Sequence, residues 1–333
     1  MRRLVVWGGI FLVLWCFWWG ISSMLMRQGA AAWLQERRTD GWLADADIAQ
    51  SGFPLRLRTA VTGLTLTDPV TGNGLIADKL ELTAPTYWPG FLTLDLPDTP
   101  IVLRLSGQEF RLRTSDARAG LRLHPVPSLQ LQNLTAHSGT WLLSTPLGAV
   151  LSADDLDFAV TQDAEKGNTY AFSITSNAVT PGDVLRRSLA LPESWPHAFD
   201  NFSARMTAGF DTAWDRHALI GPPPQPRHIE VQELNVAWGA LRLSGDGTLV
   251  INDAGIPTGN LSLRLTNWQQ TLDVATNAGL LNATMGNQAQ LLLGGLANIG
   301  GGGPDLDVTI TFADGQMALG SIQLGPAPRI IPQ

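Results

Sequence analysis

From Pro54 onward the sequence alternates apolar and polar residues with a period of two. Leu55 and Leu57, then Leu64 and Leu66, are set to face one way, with Arg56, Arg58, Thr65 and Thr67 facing the other. Successive side chains of an extended strand point to opposite faces, so this period describes a strand with one wet face; a helix would repeat every 3.6 residues. The pattern returns in LIADKLELTA, IVLRLSG, EFRLRT, LRLHP, PSLQLQNLTA, LSADDLDFAVTQ, TYAFSIT, NFSARMTAGF, HIEVQELNVAW, ALRLSGDGTLVI, NLSLRLTNW, DLDVTITFADG and QMALGSIQLG. About fifteen strands are expected, joined by short turns such as Thr71-Gly72-Asn73-Gly74 and Asp246-Gly247, which favour antiparallel meanders over crossover helices. The expected fold is mostly β with minor α.

Two segments depart from the alternation. Residues 181–189 (PGDVLRRSL), preceded by Thr180 as a cap and opening on Pro, predict a short helix. Asn267 introduces WQQTLDVATNAGLL, and Asn282 introduces ATMGNQAQLLLGGLANI. Together they predict a C-terminal helical hairpin whose apolar positions, among them Trp268, Leu272, Val274, Leu280, Leu281 and Leu291 to Leu293, pack on a sheet. Gly300 to Gly303 would form its exit. The proline-dense stretch 221–226 (GPPPQP) cannot hold regular structure and is taken as a linker. The expected organisation is an anchor and its extension over 1–38, a first β-rich half over 39–220, the linker over 221–226 and a second half over 227–333.

Before the strands lies LVVWGGIFLVLWCFWWGISSML, residues 4–25, with no charge in it. Its length, about 33 Å as a helix, crosses a hydrocarbon core of about 30 Å. A cleaved secretory signal would carry a shorter apolar region followed promptly by a small-residue site; here the only such site lies beyond Arg27. The run therefore predicts an uncleaved single-pass anchor built on Leu4, Val5, Trp7, Ile10, Leu12, Leu14, Trp18, Trp19 and Ile21, with the rings near Trp18 suited to the outer interface. Arg2 and Arg3 on the first flank, against a second flank diluted by Glu36 and Asp40, place the N-terminus inside and the domain outside. Cys16 is no lipidation site, because Trp15 is too bulky for the preceding cleavage position.

Composition bears mainly on chemistry. A net charge of -7 without a basic block is a poor match to nucleic acid, which needs clustered Lys and Arg. The one cysteine lies in the apolar run, so the domain holds neither a disulfide nor a thiolate metal site and must be stable through packing. The five histidines, His124, His137, His197, His217 and His228, show no metal-ligand spacing. Asp154, Asp155 and Asp157 do not lie in a twelve-residue calcium loop and read as a hydrated strand face. Nucleophile elbows, phosphate loops and redox cysteine pairs are missing from the sequence, and paired carboxylates that meet only in space are not legible in it. No catalytic, metal or cofactor residue is expected, and the chain is read as a non-enzyme.

Ser51-Gly52-Phe53-Pro54-Leu55-Arg56-Leu57 after a single anchor, then Ala84-Pro85 and Trp88-Pro89, resemble the start of the bacterial family called domain of unknown function 2125. Ala237-Trp238-Gly239-Ala240-Leu241-Arg242-Leu243-Ser244-Gly245, the Gly259 strand leading to Asn267-Trp268, and Asp314-Gly315 to Leu324-Gly325-Pro326 are similar to the rest of its pattern. That family in turn resembles AsmA-like envelope proteins. The resemblance implies a bacterial inner-membrane protein with its domain in the periplasm, and a long curved antiparallel sheet forming a half-open groove. The implied partner is phospholipid. The alternative is a structural scaffold of an envelope assembly or secretion machine that acts through a protein partner. Gly52, Phe53, Pro54, Trp88, Pro89, Trp238, Gly239, Asn267 and Trp268 are read as turn and packing elements of the motifs. The apolar sheet face must be covered by a facing sheet, by the helices that follow Asn267, or by acyl chains, and sequence does not choose among them.

Overall fold

The computed structural model describes residues 2–88, 90–188, 193, 195–219, 223–239, 241–277, 290–291, 293–295, 305–319 and 322–330. Every described strand pair is antiparallel, and the chain is mostly β, as the alternation requires. It divides into two compact units, the first comprising residues 1–129 and 134–146, the second residues 130–133 and 147–333. Pro226 of the expected linker opens a strand within the second unit.

The first unit opens on helix α1 (Arg2–Thr39), 38 residues with no acid in the first turn and Arg37 and Arg38 in the last. The helix stops where Gly41 adopts φ +89° and the amides of Gly41 and Trp42 close back on the carbonyls of Arg38 and Arg37. There follow β1 (Leu43–Ser51), β2 (Arg56–Thr67), β3 (Gly74–Pro85), β4 (Phe91–Asp95), β5 (Ile101–Leu105), β6 (Gln108–Thr114), β7 (Arg118–Leu123), β8 (Leu131–Ser138), whose first three residues are counted with the second unit, and β9 (Trp141–Thr145). β1, β2 and β3 form a meander. β3 then pairs with β4 through Glu81 to Thr83 and with β5 through Gly74 to Ile76, so one long strand feeds two branches, β4–β7 and β5–β6–β9.

Leu57 and Leu64 are both buried although they lie seven residues apart, which unbroken alternation forbids. The register of β2 against β1 slips by one residue between Asp45 and Asp47, where Gly63 adopts φ +64°. The bulge inserts one residue and re-phases the side chains, a shift only glycine makes without steric cost. On the Leu64 side the C-terminal part of α1 delivers Leu34 onto Ala44, Leu64, Ala77 and Ile101. β1 turns inward buried Ala44 and part-buried Ala46 and Ile48; alanine is a weak strand former, and this strand escapes the sequence reading for that reason.

The second unit contains β10 (Gly148–Ala153), β11 (Leu156–Gln162), β12 (Thr169–Ser176), β13 (Thr180–Pro181), α2 (Asp183–Ser188), β14 (Asn201–Phe210), the 3₁₀ turn Arg216–Leu219, β15 (Pro226–Trp238), β16 (Leu241–Ile251), β17 (Pro257–Thr266), α3 (Trp268–Asn277), β18 (Asp305–Ala313), β19 (Gln316–Leu319) and β20 (Ile322–Pro326). From β11 the hydrogen-bonded order is β11–β12–β14–β15–β16–β17–β18–β19–β20. Twenty strands in the described residues exceed the fifteen expected. β1, β4, β9 and the two-residue β13 went unread, while LSADDLDFAVTQ and QMALGSIQLG each reach into two strands. Thr180 does not cap α2: it pairs with Ser152, and the helix starts at Asp183 with the Gly182 carbonyl accepting from the Arg186 amide. The first arm of the expected helical hairpin is α3. Of the second arm only 290–291 and 293–295 are described, as helix, and residues 278–289, 292 and 296–304, including Leu280, Leu281 and the Gly300 run, lie outside the described residues.

Candidate functional site

Two features stand out. The first is a collar around α1 in the first unit. Trp15, Trp18 and Trp19 follow one another at helical spacing and so share one side of the helix. Their indole N–H groups donate to the backbone carbonyls of Pro54 (2.9 Å), Thr86 (2.8 Å) and Arg56 (2.8 Å). Pro54 lies in the turn between β1 and β2, Arg56 opens β2, and Thr86 directly follows β3. Gly52 adopts φ +100°, where a Cβ would sit 2.7 Å from the Arg56 carbonyl oxygen, and the Phe53–Pro54 peptide is cis. The amide of Arg56 donates to the Gly52 carbonyl and that of Thr86 to the Leu55 carbonyl. Thr86 is fully buried, and its hydroxyl donates to the Pro54 carbonyl.

The aromatic edges of the collar remain outside. Phe53 meets the Trp19 ring edge-on at 5.3 Å yet is 58% exposed, while Leu55 is 68% and Tyr87 67% exposed. The Trp88 ring lies against Gly90, and Pro89 lies outside the described residues. Of the expected anchor residues, Trp7, Ile10, Leu12, Leu14, Trp18 and Ile21 are exposed in the isolated chain. The side chains of Leu4 and Val5 lie outside the described residues. The helix is long and apolar enough to cross a membrane.

The second feature is the apolar face of β11 to β18. Residues directly opposite across an antiparallel ladder share a face. Phe158, Ile174, Ala204, Leu234, Gly245, Leu263 and Val308 therefore form one continuous row, and Val160, Phe172, Met206, Val231, Gly247, Leu261 and Ile310 the next. The other face carries the row Thr161, Ala171, Thr207, Glu230, Thr248, Asn260 and Thr311, and the ion pairs Arg205–Glu233 and Arg264–Asp307. The Arg264–Asp307 contact of 2.6 Å pulls the Asp307 carboxyl below its usual range.

Burial differs along the apolar face. In the two central rows only Val160 is buried; the rest stay part-exposed, and Met206 reaches 36%. The flanking rows hold more buried residues, Tyr170, Ala208 and Phe312 on one side and Leu306 on the other, although Ile229, Leu249, Val236, Leu243 and Leu265 between them are part-exposed as well. At one end Tyr170, Phe210 and Trp214 cluster, with the Trp214 amide donating to the Tyr170 hydroxyl at 3.0 Å. At the other, Trp268 and Leu272 of α3 pack with Leu293 on Leu306. Asn267, at φ +56°, turns the chain from β17 into that helix. Trp238 stacks on Phe199 at 4.4 Å and donates to the Pro196 carbonyl. Gly239, at φ +60°, has no room for a Cβ beside Pro196. A cavity of ≈ 480 Å³ belongs to the other, polar face, lined mainly by residues such as Glu233, Ser244, Asp246, Ser262, Arg264 and Asp307.

Conventional chemistry finds little purchase. Among the described residues there is no cluster of three or more potential metal ligands. Asp155 binds the amide and side chain of Asn177, a turn function. His217 contacts Asp215, whose carboxyl is held low by that imidazole. Every carboxyl with a displaced pKa among the described residues is displaced downward, the opposite of what a general acid needs.

A family model described as an uncharacterized protein conserved in bacteria, DUF2125, matches residues 18–328. The chain belongs to the DUF2125 family. No curated protein matches the sequence. The match begins inside α1 at Trp18 and so includes Trp18 and Trp19 of the collar together with all of the apolar face. The sequence reading had assigned the tryptophans of α1 to the membrane interface and Gly52-Phe53-Pro54 to a turn. Their contact with one another had no signal in it, because the acceptors are main-chain carbonyls. Thr86 was missed altogether, for the same reason.

Proposed function

We propose that this DUF2125 chain is a single-pass, inner-membrane-anchored protein of the bacterial envelope whose periplasmic domain binds or passes phospholipid, its acyl chains lying on the apolar face of β11 to β18. The observation that carries the reading is the contrast in burial along that face. Buried aromatic and helical side chains gather toward its two ends, while in the central rows every residue but Val160 is part-exposed. A contiguous apolar surface of this kind favours an apolar partner, at roughly 25 cal/mol per Å² removed from water. The occupant need not be fixed by hydrogen bonds, since the central rows offer none. Binding of this kind involves no cofactor and no covalent step.

The anchor supports the same reading. A helix able to span the bilayer holds the domain at a membrane surface, where phospholipid is the abundant apolar ligand. The test is native mass spectrometry of the full chain purified in detergent, with phospholipid extraction in parallel. The expected result is phospholipid-mass adducts on the intact chain. A lipid-free chain that captures a protein partner at fixed stoichiometry overturns the proposal in favour of a scaffold role.

A further inference from the structure

The hydrogen bonds that tie the collar to α1 also fix its depth. Arg2 and Arg3 mark one edge of the apolar run, and a hydrocarbon core of about 30 Å needs about 20 helical residues, which carries it from Leu4 to Ser23. Trp19 then lies about 6 Å, and Trp15 about 12 Å, below the boundary on the domain side. A tilt of about 20° would require roughly one residue more and deepen both. Yet these two, with Trp18 between them, are the residues whose indoles donate to the carbonyls of Pro54, Thr86 and Arg56. The loops cannot sit above a membrane whose interior holds their partners.

Resting on the reading of α1 as a span, we propose that the collar is immersed in the acyl region of the domain-side leaflet, with Phe53, Leu55 and Tyr87 among the lipid chains. The chemistry of the loops suits that position. The three side chains are large, apolar or amphipathic, and more than half exposed. The indole N–H groups, which hydrocarbon would leave unpaired, have protein acceptors. Thr86, the polar residue at the centre, is fully buried with its hydroxyl bonded.

Charge is arranged to match. A cleft of ≈ 650 Å³ beside the collar is lined by Leu55, Arg56, Arg58, Tyr87, Phe91 and Arg118, among others. Arg58 is paired with Glu81 at 2.8 Å and Arg118 with Asp95 at 2.6 Å. Arg56, exposed, is the cation of this lining without an acidic partner among the described residues. Its main chain is fixed at the depth of Trp19, and a guanidinium reaches roughly 6 Å from its Cα, enough to snorkel to the hydrocarbon boundary at the base of the headgroups. The occupant implied is thus the leaflet itself, acyl chains below and phosphate above.

The test uses the full chain with Cys16→Ser and single cysteines introduced by Val13→Cys, Leu55→Cys, Tyr87→Cys or Val70→Cys. Each is spin-labelled and reconstituted in nanodiscs of phosphatidylethanolamine and phosphatidylglycerol. Val70 is 89% exposed in the turn between β2 and β3 and serves as the aqueous reference. Power saturation compares collision with oxygen, which partitions into lipid, and with a water-soluble nickel chelate. Labels at 55 and 87 are expected to favour oxygen, at a depth between that of the label at 13 and the phosphates, while the label at 70 favours nickel. A water-exposed label at 13 would overturn the anchoring reading and this inference with it. A deep label at 13 with aqueous labels at 55 and 87 would overturn this inference alone, leaving the patch as a protein-facing surface. All four sites are exposed, and an unchanged far-UV circular dichroism spectrum establishes that each labelled chain is folded.

Discussion

The open apolar face makes a prediction in which stability and binding part company. Leu261 lies in a central row between Gly247 and Ile310 and is part-exposed in the protein alone. Replacing it by Asp removes a partly buried leucine, worth about half of the ~1.5–3 kcal/mol of complete burial, or roughly 1 kcal/mol of folding stability. The new carboxylate keeps its water as long as nothing covers it. An acyl chain lying on the row would remove that water, and a charge facing hydrocarbon costs about 2.5–3.5 kcal/mol, close to a 100-fold loss of affinity. Leu261→Asp should therefore fold with a small loss of stability in urea titration followed by circular dichroism, while retained phospholipid per chain, measured by native mass spectrometry, falls by about two orders of magnitude. Asn260→Asp, on the opposite face, should change neither. A stability loss of about 4 kcal/mol or more would mean that the row is a closed core, because that is the scale of an unpaired buried charge. Unchanged lipid retention would place the acyl chains elsewhere. Either outcome refutes the argument.

Three further outcomes follow from geometry. Gly259→Ala should cost about 2 kcal/mol or more in thermal unfolding, since Gly259 is at φ +140° and a Cβ there would lie 2.1 Å from the Thr248 carbonyl oxygen; Gly209→Ala, whose nearest neighbour is at 3.6 Å, should cost under about 1 kcal/mol. Tyr170→Phe should cost about 1–3 kcal/mol by leaving the Trp214 amide unpaired. Burial raises the Tyr170 phenol above 10.0, so its contribution is whole below that pH and is lost as pH rises through the raised value; a melting-temperature profile of the Phe variant should lack that alkaline component. At the acid end, Asp163 is lowered by the amides of Glu165 and then Lys166, and Asp68 by the Thr71 hydroxyl and then the Val70 amide. Both contribute stability above 3.8 that disappears as pH falls through their lowered values, and Asp163→Asn should flatten the acid limb of the same profile.

What could be read from the sequence follows the distance over which its signals act. β17 and β18 are legible residue by residue: Leu261, Leu263 and Leu265 alternate with Ser262 and Arg264, and Leu306, Val308 and Ile310 with Asp307 and Thr309. Strand pairing preserves that pattern, so the two-faced sheet of the second unit is written in each strand separately. β1 is less legible because alanines carry its inner face, and the phase change in β2 is visible only as the odd spacing of Leu57 and Leu64, which Gly63 resolves. The collar was out of reach. Its tryptophans repeat at helical spacing, but a main-chain carbonyl is present at every residue and carries no compositional mark, so nothing in the sequence says that Pro54, Arg56 and Thr86 present theirs to α1.

The same limit governs the question of cover. Alternation shows that an apolar face exists and is silent on what lies over it, because a closed sandwich and an open sheet have the same period. The structure adds where the bulky side chains are spent. Tyr170, Phe210 and Trp214 at one end and Trp268 with Leu272 at the other are buried or ring-packed, and Leu306 and Phe312 are covered with them. Leu261, Leu263 and Ile310, equally apolar and on the same strands, are not buried, and Val308 packs against the α3 cluster yet stays part-exposed. A chain selected only for a packed core would gain about as much per Å² by covering the middle as by covering the ends. The uneven burial is the observation on which the proposal of an apolar partner over the central rows rests.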